Sequence, residues 1–415
     1  MTNLAVMVLL VSFFVLMALH IPVTFSLLLS TLASALVRGT KLTVMIRMML
    51  DGVNNFSLLA IPFFILMGEI MSAGKISDKI IDLANLVVGR FRGGLAYVNV
   101  LDSTFFGGIS GSAVADVSSL GSVVVPLMKN QGYDAEFSVG LTVTTACQGV
   151  LIPPSHNMVI YALAAGGGVT VASMFMAGAV PGLLLGACFM AYCFISSKKY
   201  NFPKGEKIGA LDSVRWIKIS RTPAGSVTGM IKDPATWVAW KTSVLTVTFG
   251  KCIGVVVNSI LPMLTLVIIM GGVAAGIFTA TESAAVACVY SFFLTYAILR
   301  SDKISHFPQV LKNSLKTLAT VLTLIATAKA FAYMMVDLRV PSMITDALIS
   351  VTDNRILLLL IINFLLLVLG CFMDMAPLIM IMTPILLPVV TGPVVQMSMV
   401  QFGVMLIMNL AIGLC

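Results

Sequence analysis

The stretch from Phe105 to Tyr161 constrains this chain more than any other. It is apolar enough to lie in a bilayer, yet it is interrupted twice, at Gly107-Gly108-Ile109-Ser110-Gly111-Ser112 and at Gly149-Val150-Leu151-Ile152-Pro153-Pro154-Ser155. Consecutive prolines remove two backbone donors, their rings clash with the preceding turn, and Pro154 pushes Pro153 out of the helical region. Irregular backbone at membrane depth persists only where it is buried in protein or lines a polar cavity. Paired broken segments are therefore a pointer to a transporter's binding site.

Composition supports a membrane setting. Of 415 residues, 59% are hydrophobic and 10% charged, with mean hydropathy +1.05; a soluble domain has about 25% charged. Several apolar runs are long enough for membrane helices, which excludes the short alternating segments of a barrel. The formal charge is +8, and ten of the 25 Lys and Arg fall between Lys198 and Lys251, against Glu206, Asp212 and Asp233. In a membrane protein this pattern marks a cytoplasmic segment rather than a nucleic-acid surface. The seven cysteines lie in apolar runs without a CxxC pair and read as small fillers. The N-terminal run has no basic n-region and no small-residue cleavage site, so it reads as a retained first helix.

Taken in order, residues 4–37 read as one kinked span or a span with a short arm, and 56–73 as the next span. Residues 77–90 are amphipathic, as for a helix lying along the interface. A span beginning at 94–106 runs into the broken stretch, where 113–129 is too short for two crossings and suits a hairpin that enters and leaves on one side. After 157–165 and 171–195 comes a polar connector, 198–251, with Trp216, Trp237 and Trp240. Then follow 253–271 and 276–299, split at Gly271-Gly272, then 309–336, a short amphipathic piece at 340–350, 355–372, the proline-bearing run 370–390, and 401–415.

The two halves look alike at an offset of about 265: Gly107–Asp116 falls opposite Gly370–Ile379, and the amphipathic piece after Gly74 falls opposite the one after Arg339. Such repeats in transporters commonly have inverted topology, with the site at their interface. The counterpart of Ile152-Pro153-Pro154 would begin near position 416, so a second broken helix and last span, roughly 44 residues by analogy with 152–195, are expected beyond Cys415. The fold expected is an all-α polytopic membrane protein in three parts. These are a first membrane repeat over 1–197 (hairpin about 105–130, broken helix about 137–165), a basic connector over 198–251, and a second, incomplete repeat over 252–415 (hairpin about 370–395).

The breaks also suggest chemistry. A helix that stops at Ile152-Pro153 frees carbonyls with partial negative charge, suited to a hard cation. The start of the next half-helix offers free N–H groups to a carboxylate. Ser155, His156 and Asn157 stand there and are candidate substrate contacts, together with Thr145 and Asp374. Ser110-Gly111-Ser112 reads either as close helix packing by small residues or, with the proline break in the same half, as part of the site. Asp116 suits a cap or a paired buried charge. Asp374, an acid within a membrane stretch, suits cation binding or support of the second hairpin tip. Glu69 and Glu282 stand between structural pairing and function, and His20 and His306 read as structural or interfacial. There is no HExxH, GxSxG or Walker motif, so no enzymatic activity and no cofactor is expected.

These motifs resemble the large membrane subunit of tripartite ATP-independent periplasmic (TRAP) transporters. The resemblance rests on Phe56–Phe64, Gly89–Gly94, Ser110–Asp116, Ile152–Asn157, Gly276–Glu282, Met373–Pro377 and Asn409–Gly413, and covers residues 1–208 and about 260–415. It implies a sodium-driven elevator transporter of the bacterial inner membrane, with two inverted repeats. Such a transporter takes an organic acid (a C4-dicarboxylate, sialic acid or sugar acid) from a periplasmic binding protein and works with a small membrane subunit. Na+ is the coupling ion implied. Carried over, the first sodium position involves Ser110, Ser112, Gly149, Ile152 and Pro154, several through backbone carbonyls. The second involves Gly370, Asp374 and Gly413. Because the family continues past the position of Cys415 with Thr-Pro-Pro, that second position is expected to be incomplete. A stand-alone sodium–dicarboxylate carrier and a non-transporting remnant are the competing readings.

Overall fold

A computed structural model describes residues 2–89, 91–203, 256–352 and 354–414. Most of the basic connector, with its three tryptophans, lies outside the described residues. Seventeen α-helices are described. They are α1 (Thr2–Ala18), α2 (Val23–Arg38), α3 (Leu42–Val53), α4 (Ala60–Ala73), α5 (Ile76–Val88), α6 (Gly94–Ser110), α7 (Ala113–Asn130), α8 (Ala135–Leu151), α9 (His156–Ala164) and α10 (Val171–Lys199), followed by α11 (Val256–Ala274), α12 (Ala280–Phe293), α13 (Phe307–Asp337), α14 (Val340–Val351), α15 (Arg355–Gly370), α16 (Met375–Thr391) and α17 (Met399–Leu414). Five helical segments are long and apolar enough to cross a membrane, or six if the bent pair α8–α9 is one span.

The first apolar run is two helices rather than one kinked span. His20 takes φ 61° and Pro22 precedes α2, so the chain turns between Ala18 and Val23. The break expected at Gly271-Gly272 falls later. Both glycines lie inside α11, where the rim of Phe278 packs over Gly272, and the chain turns at Gly276, φ +67°. The next helix starts with a capping box: Glu282 N–H donates to Thr279 Oγ1 at 3.3 Å and Thr279 N–H donates to Glu282 Oε2 at 2.8 Å. This places Glu282 in a cap, where two otherwise orphaned N–H groups are satisfied reciprocally.

A large apolar core joins α1, α2, α4, α8, α9, α13, α16 and α17. A smaller cluster, with Ile81, Val98, Phe106, Leu120, Val124 and Cys193, fills the space between α5, α6, α7 and α10. Contacts recur between the halves. Thr145 of α8 donates to Asn99 of α6 at 3.3 Å, and Asn409 of α17 donates to Asn363 of α15 at 2.8 Å, each member 264 positions further along. Gly107 packs on Gly149, and Gly370 packs on Gly413, at nearly the same offset. Lys75 before α5 and Arg339 before α14 both take left-handed backbone.

Candidate functional site

Three helices build the centre. α6 runs to Ser110, and the chain reverses at Gly111, φ +63°, a conformation glycine adopts without steric cost. The interruption is narrower than the sequence suggested: Gly107 to Ser110 remain helical, and only Gly111 and Ser112 leave the helix. Gly107 is needed for approach. A Cβ there would sit 2.1 Å from Gly149 Cα, so α6 and α8 touch backbone to backbone. A Cβ on Gly111 would sit 3.0 Å from both Pro154 O and Ser155 Cα, so the hairpin tip lies directly on the proline break.

That break spans Ile152 to Ser155, with α8 and α9 bent by 51°. In an α-helix the carbonyls of Gly149 and Val150 would accept from residues 153 and 154, which are prolines and donate nothing. Two carbonyls therefore lose their helical donors beside the hairpin tip, which fits an oxygen seat for a hard cation. On the other side, α10 lays Gly178, Gly182 and Gly186 along the break. Added Cβ atoms would meet Leu151 O at 2.8 Å, Ile152 Cγ1 at 2.8 Å and Gln148 Oε1 at 3.0 Å respectively. A stripe of small residues lets helices close in this way within a membrane.

The N-terminus of α9 carries Ser155, His156 and Asn157. Ser155 is fully buried, and its Oγ has no hydrogen-bond partner among the described residues. Asn157 is 3% exposed and donates from Nδ2 to Met375 Sδ at 3.8 Å, a weak bond that reaches the first residue of α16. His156 is half-buried and lies within electrostatic reach of Asp374. The structure thus brings Ser155, His156, Asn157 and Asp374 to one place, where the start of α9 meets the start of α16. Asp374 is exposed there, and its Oδ1 accepts from Met375 N–H at 2.8 Å, which makes it the N-cap of α16.

Thr145 stands apart from that group. Its hydroxyl is held between α6 and α8, 3.2 Å from Ser103 Oγ and 3.3 Å from Asn99 Oδ1. Ser112, Gly149, Ile152 and Pro154 are gathered at the tip and break; Ser110 ends α6 beside them, its side chain lying outside what is described. At the end of α15, a Cβ on Gly370 would sit 3.1 Å from Gly413 Cα. Sequence reading passed over one residue, Asp102, which is fully buried in α6. The signal was present: an acid inside an apolar span is a functional candidate by default.

The chain matches the family described as the tripartite ATP-independent periplasmic transporter, DctM component, over residues 10–415. It is 32% identical to the sialic acid TRAP transporter large permease protein SiaM of Vibrio cholerae over 95% of this chain and 82% of that protein. It is 32% identical to the C4-dicarboxylate TRAP transporter large permease protein DctM of Rhodobacter capsulatus (88% and 76%). It is also 32% identical to the 2,3-diketo-L-gulonate TRAP transporter large permease protein YiaN of Escherichia coli K12 (89% and 77%). Matched over residues 10–415 and at least 32% identical to each of these large permeases, the chain belongs to the DctM component family of tripartite ATP-independent periplasmic transporters.

Proposed function

We propose that this chain is the large permease of a sodium-coupled importer of an organic acid in the bacterial inner membrane. The acid is handed over by a periplasmic binding protein, and a small membrane subunit completes the assembly. Sialic acid, C4-dicarboxylates and 2,3-diketo-L-gulonate, for which the three relatives are named, are all carboxylates, which supports an acid. In this reading Na+ is cargo, held at the first hairpin tip by the carbonyls of Gly149, Ile152 and Pro154 with Ser110 and Ser112. Gly370, Asp374 and Gly413 contribute to a second position.

The substrate carboxylate docks at the start of α9. There the unpaired N–H groups and the positive end of the helix dipole favour an anion, and Ser155 Oγ is a buried hydroxyl with no hydrogen-bond partner among the described residues. His156 and Asn157 line the same place. Thr145 acts through α6, fixing the helix that carries the tip. The halves are two inverted repeats working as an elevator, a reading supported by the hydrogen-bonded pairs and glycine contacts that recur 263 or 264 positions apart.

The observation that carries this reading is the contact between the Gly111 tip and the Ile152–Ser155 break, beside carbonyls whose helical donors are prolines. The test is uptake of a panel of labelled acids into proteoliposomes holding the large and small subunits, with binding protein added outside. Accumulation that needs both an inward Na+ gradient and the binding protein is expected. Uptake that proceeds equally with K+ in place of Na+ would overturn sodium coupling. Uptake without the binding protein would favour a stand-alone carrier.

A further inference from the structure

Asp102 has no part in the reading above. It is fully buried in α6, and neither carboxylate oxygen has a hydrogen-bond partner among the described residues. No described Lys, Arg or His forms an ion pair with it. The charged groups that act on it are Asp116, in the first turn of α7, and Asp78, in the first turn of α5, both of its own sign. Among the other helices packed on α6, α8 and α10 bring Thr142, Thr145, Gln148 and Cys193 against Asn99, Ser103, Val100 and Ala96, and α4 carries Glu69; none of these is cationic.

A buried ion without a partner costs several kcal/mol even after the surroundings relax, and a second carboxylate of like charge adds to that cost. The fold itself does not ask for a carboxylate here. At the matching place in the second half, 264 positions on, stands Leu366, also fully buried. The same helix register is thus packed once with a leucine and once with an acid that has no hydrogen-bond partner among the described residues.

We propose that Asp102 and Asp116 form a cation-binding position inside the wedge of α5, α6 and α7, which takes one monovalent positive charge, Na+ or a proton. Its Asp102 end lies away from the hairpin tip, because Asp102 precedes Ser110 by about 12 Å of helix. It still reaches the break. Asp116 Oδ2 lies 3.6 Å from where a Cβ on Gly149 would stand, so its occupant draws α6 and α7 together at the point where both touch α8. A positive charge held there travels with the hairpin and adds one to the charge carried per transport cycle.

The experiment compares wild type with Asp102→Asn and with Asp102→Leu, the latter copying the second half. Each is the full chain purified with the small membrane subunit and checked by thermal unfolding. Binding of radiolabelled Na+ at saturation and infrared difference spectra in H2O and D2O are the readouts. If the occupant is Na+, both variants bind one Na+ fewer per chain. If it is a proton, Na+ stoichiometry is unchanged, and wild type shows a D2O-sensitive protonated-carboxyl band that both variants lack. Equal stoichiometry with no such band in wild type overturns the proposal. Asp116→Asn provides the same comparison should an Asp102 variant be too unstable to purify. Wild-type Na+ binding with an intact tip separates failure here from failure of the sodium reading itself.

Discussion

In each half a glycine near the end of one helix is pressed against a glycine of another, but the two contacts are unequally tight. A Cβ on Gly107 would stand 2.1 Å from Gly149 Cα, whereas one on Gly370 would stand 3.1 Å from Gly413 Cα. The polar furnishing differs as well. In the first half Asp102, Ser103 and Gln148 are buried around the contact, and the matching positions of the second half hold Leu366, Leu367 and Ile412. One polar pair is shared: Asn99 with Thr145, and Asn363 with Asn409. What the halves hold in common, glycine contact and polar pair, is what the architecture requires. What only the first half holds is free to serve transport.

The sharpest way to break this comparison is to add one methyl group on each side. Gly107→Ala drives a Cβ into backbone that has no flexible side chain to move aside, and is expected to cost about 3 kcal/mol or more, with loss of uptake. Gly370→Ala needs a shift of only a few tenths of an ångström and should cost about 1 kcal/mol. Thermal unfolding in detergent reads both, and equal losses would mean that the two contacts are equally tight. At the start of α9, Asn157→Ala should leave the protein folded and weaken the apparent affinity for substrate roughly tenfold, the loss of one hydrogen bond to a charged group. Unchanged uptake would remove Asn157 from the substrate site.

The breaks in the first half were legible because prolines and glycines act through local chemistry. Pro153 and Pro154 remove donors whatever surrounds them, and Gly111 turns the chain because only glycine enters that backbone region freely. The starts of α5 and α10 were likewise close to expectation, at Ile76 and Val171. Less legible was anything decided by packing. Gly271 and Gly272 look like a break, yet they remain helical because Phe278 folds back over Gly272. Gly107 looks like part of a loop, yet it is helical, its missing side chain serving contact with α8. Thr145 looks like a wall of the substrate site until Asn99 and Ser103, more than forty positions earlier, are seen to hold its hydroxyl. Asp102 was masked by the apolar run around it, and its isolation is a fact of three helices, none of which reveals it alone.

The shared polar pair offers a gentler comparison. Asn409 donates to Asn363 at 2.8 Å and also to Met405 O at 2.8 Å, so Asn409→Leu removes two bonds and leaves Asn363 Oδ1 short of a donor. Thr145→Val removes longer, weaker bonds, at 3.2 Å from Ser103 Oγ and 3.3 Å to Asn99 Oδ1, and leaves intact the shorter bond that Asn99 Nδ2 donates to Thr142 Oγ1 at 2.7 Å. Interhelical polar bonds in membranes are each worth about 0.6 kcal/mol, up to about 1.7. Asn409→Leu should therefore cost about 1–2 kcal/mol and Thr145→Val about 0.5 kcal/mol. The reverse order in unfolding measurements would place the greater mechanical load on the first half.

The smallest effect is expected where the halves are tied by charge. Arg38 closes α2, Asp337 closes α13, and their side chains meet at Nε···Oδ2 3.4 Å with about a third of each exposed. Water reaches both partners, so the Coulombic gain is screened, and such pairs are worth about 0–1 kcal/mol. Arg38→Gln keeps the length of the side chain and removes the charge. Its cost should stay below about 1 kcal/mol and fade as salt is raised from about 0.05 M to 0.5 M, where the screening length falls from about 14 Å to about 4 Å. A loss that is large and indifferent to salt would show that the guanidinium holds the two helix ends by contacts other than charge. The junction between the halves would then be a fixed hinge rather than a loose seam.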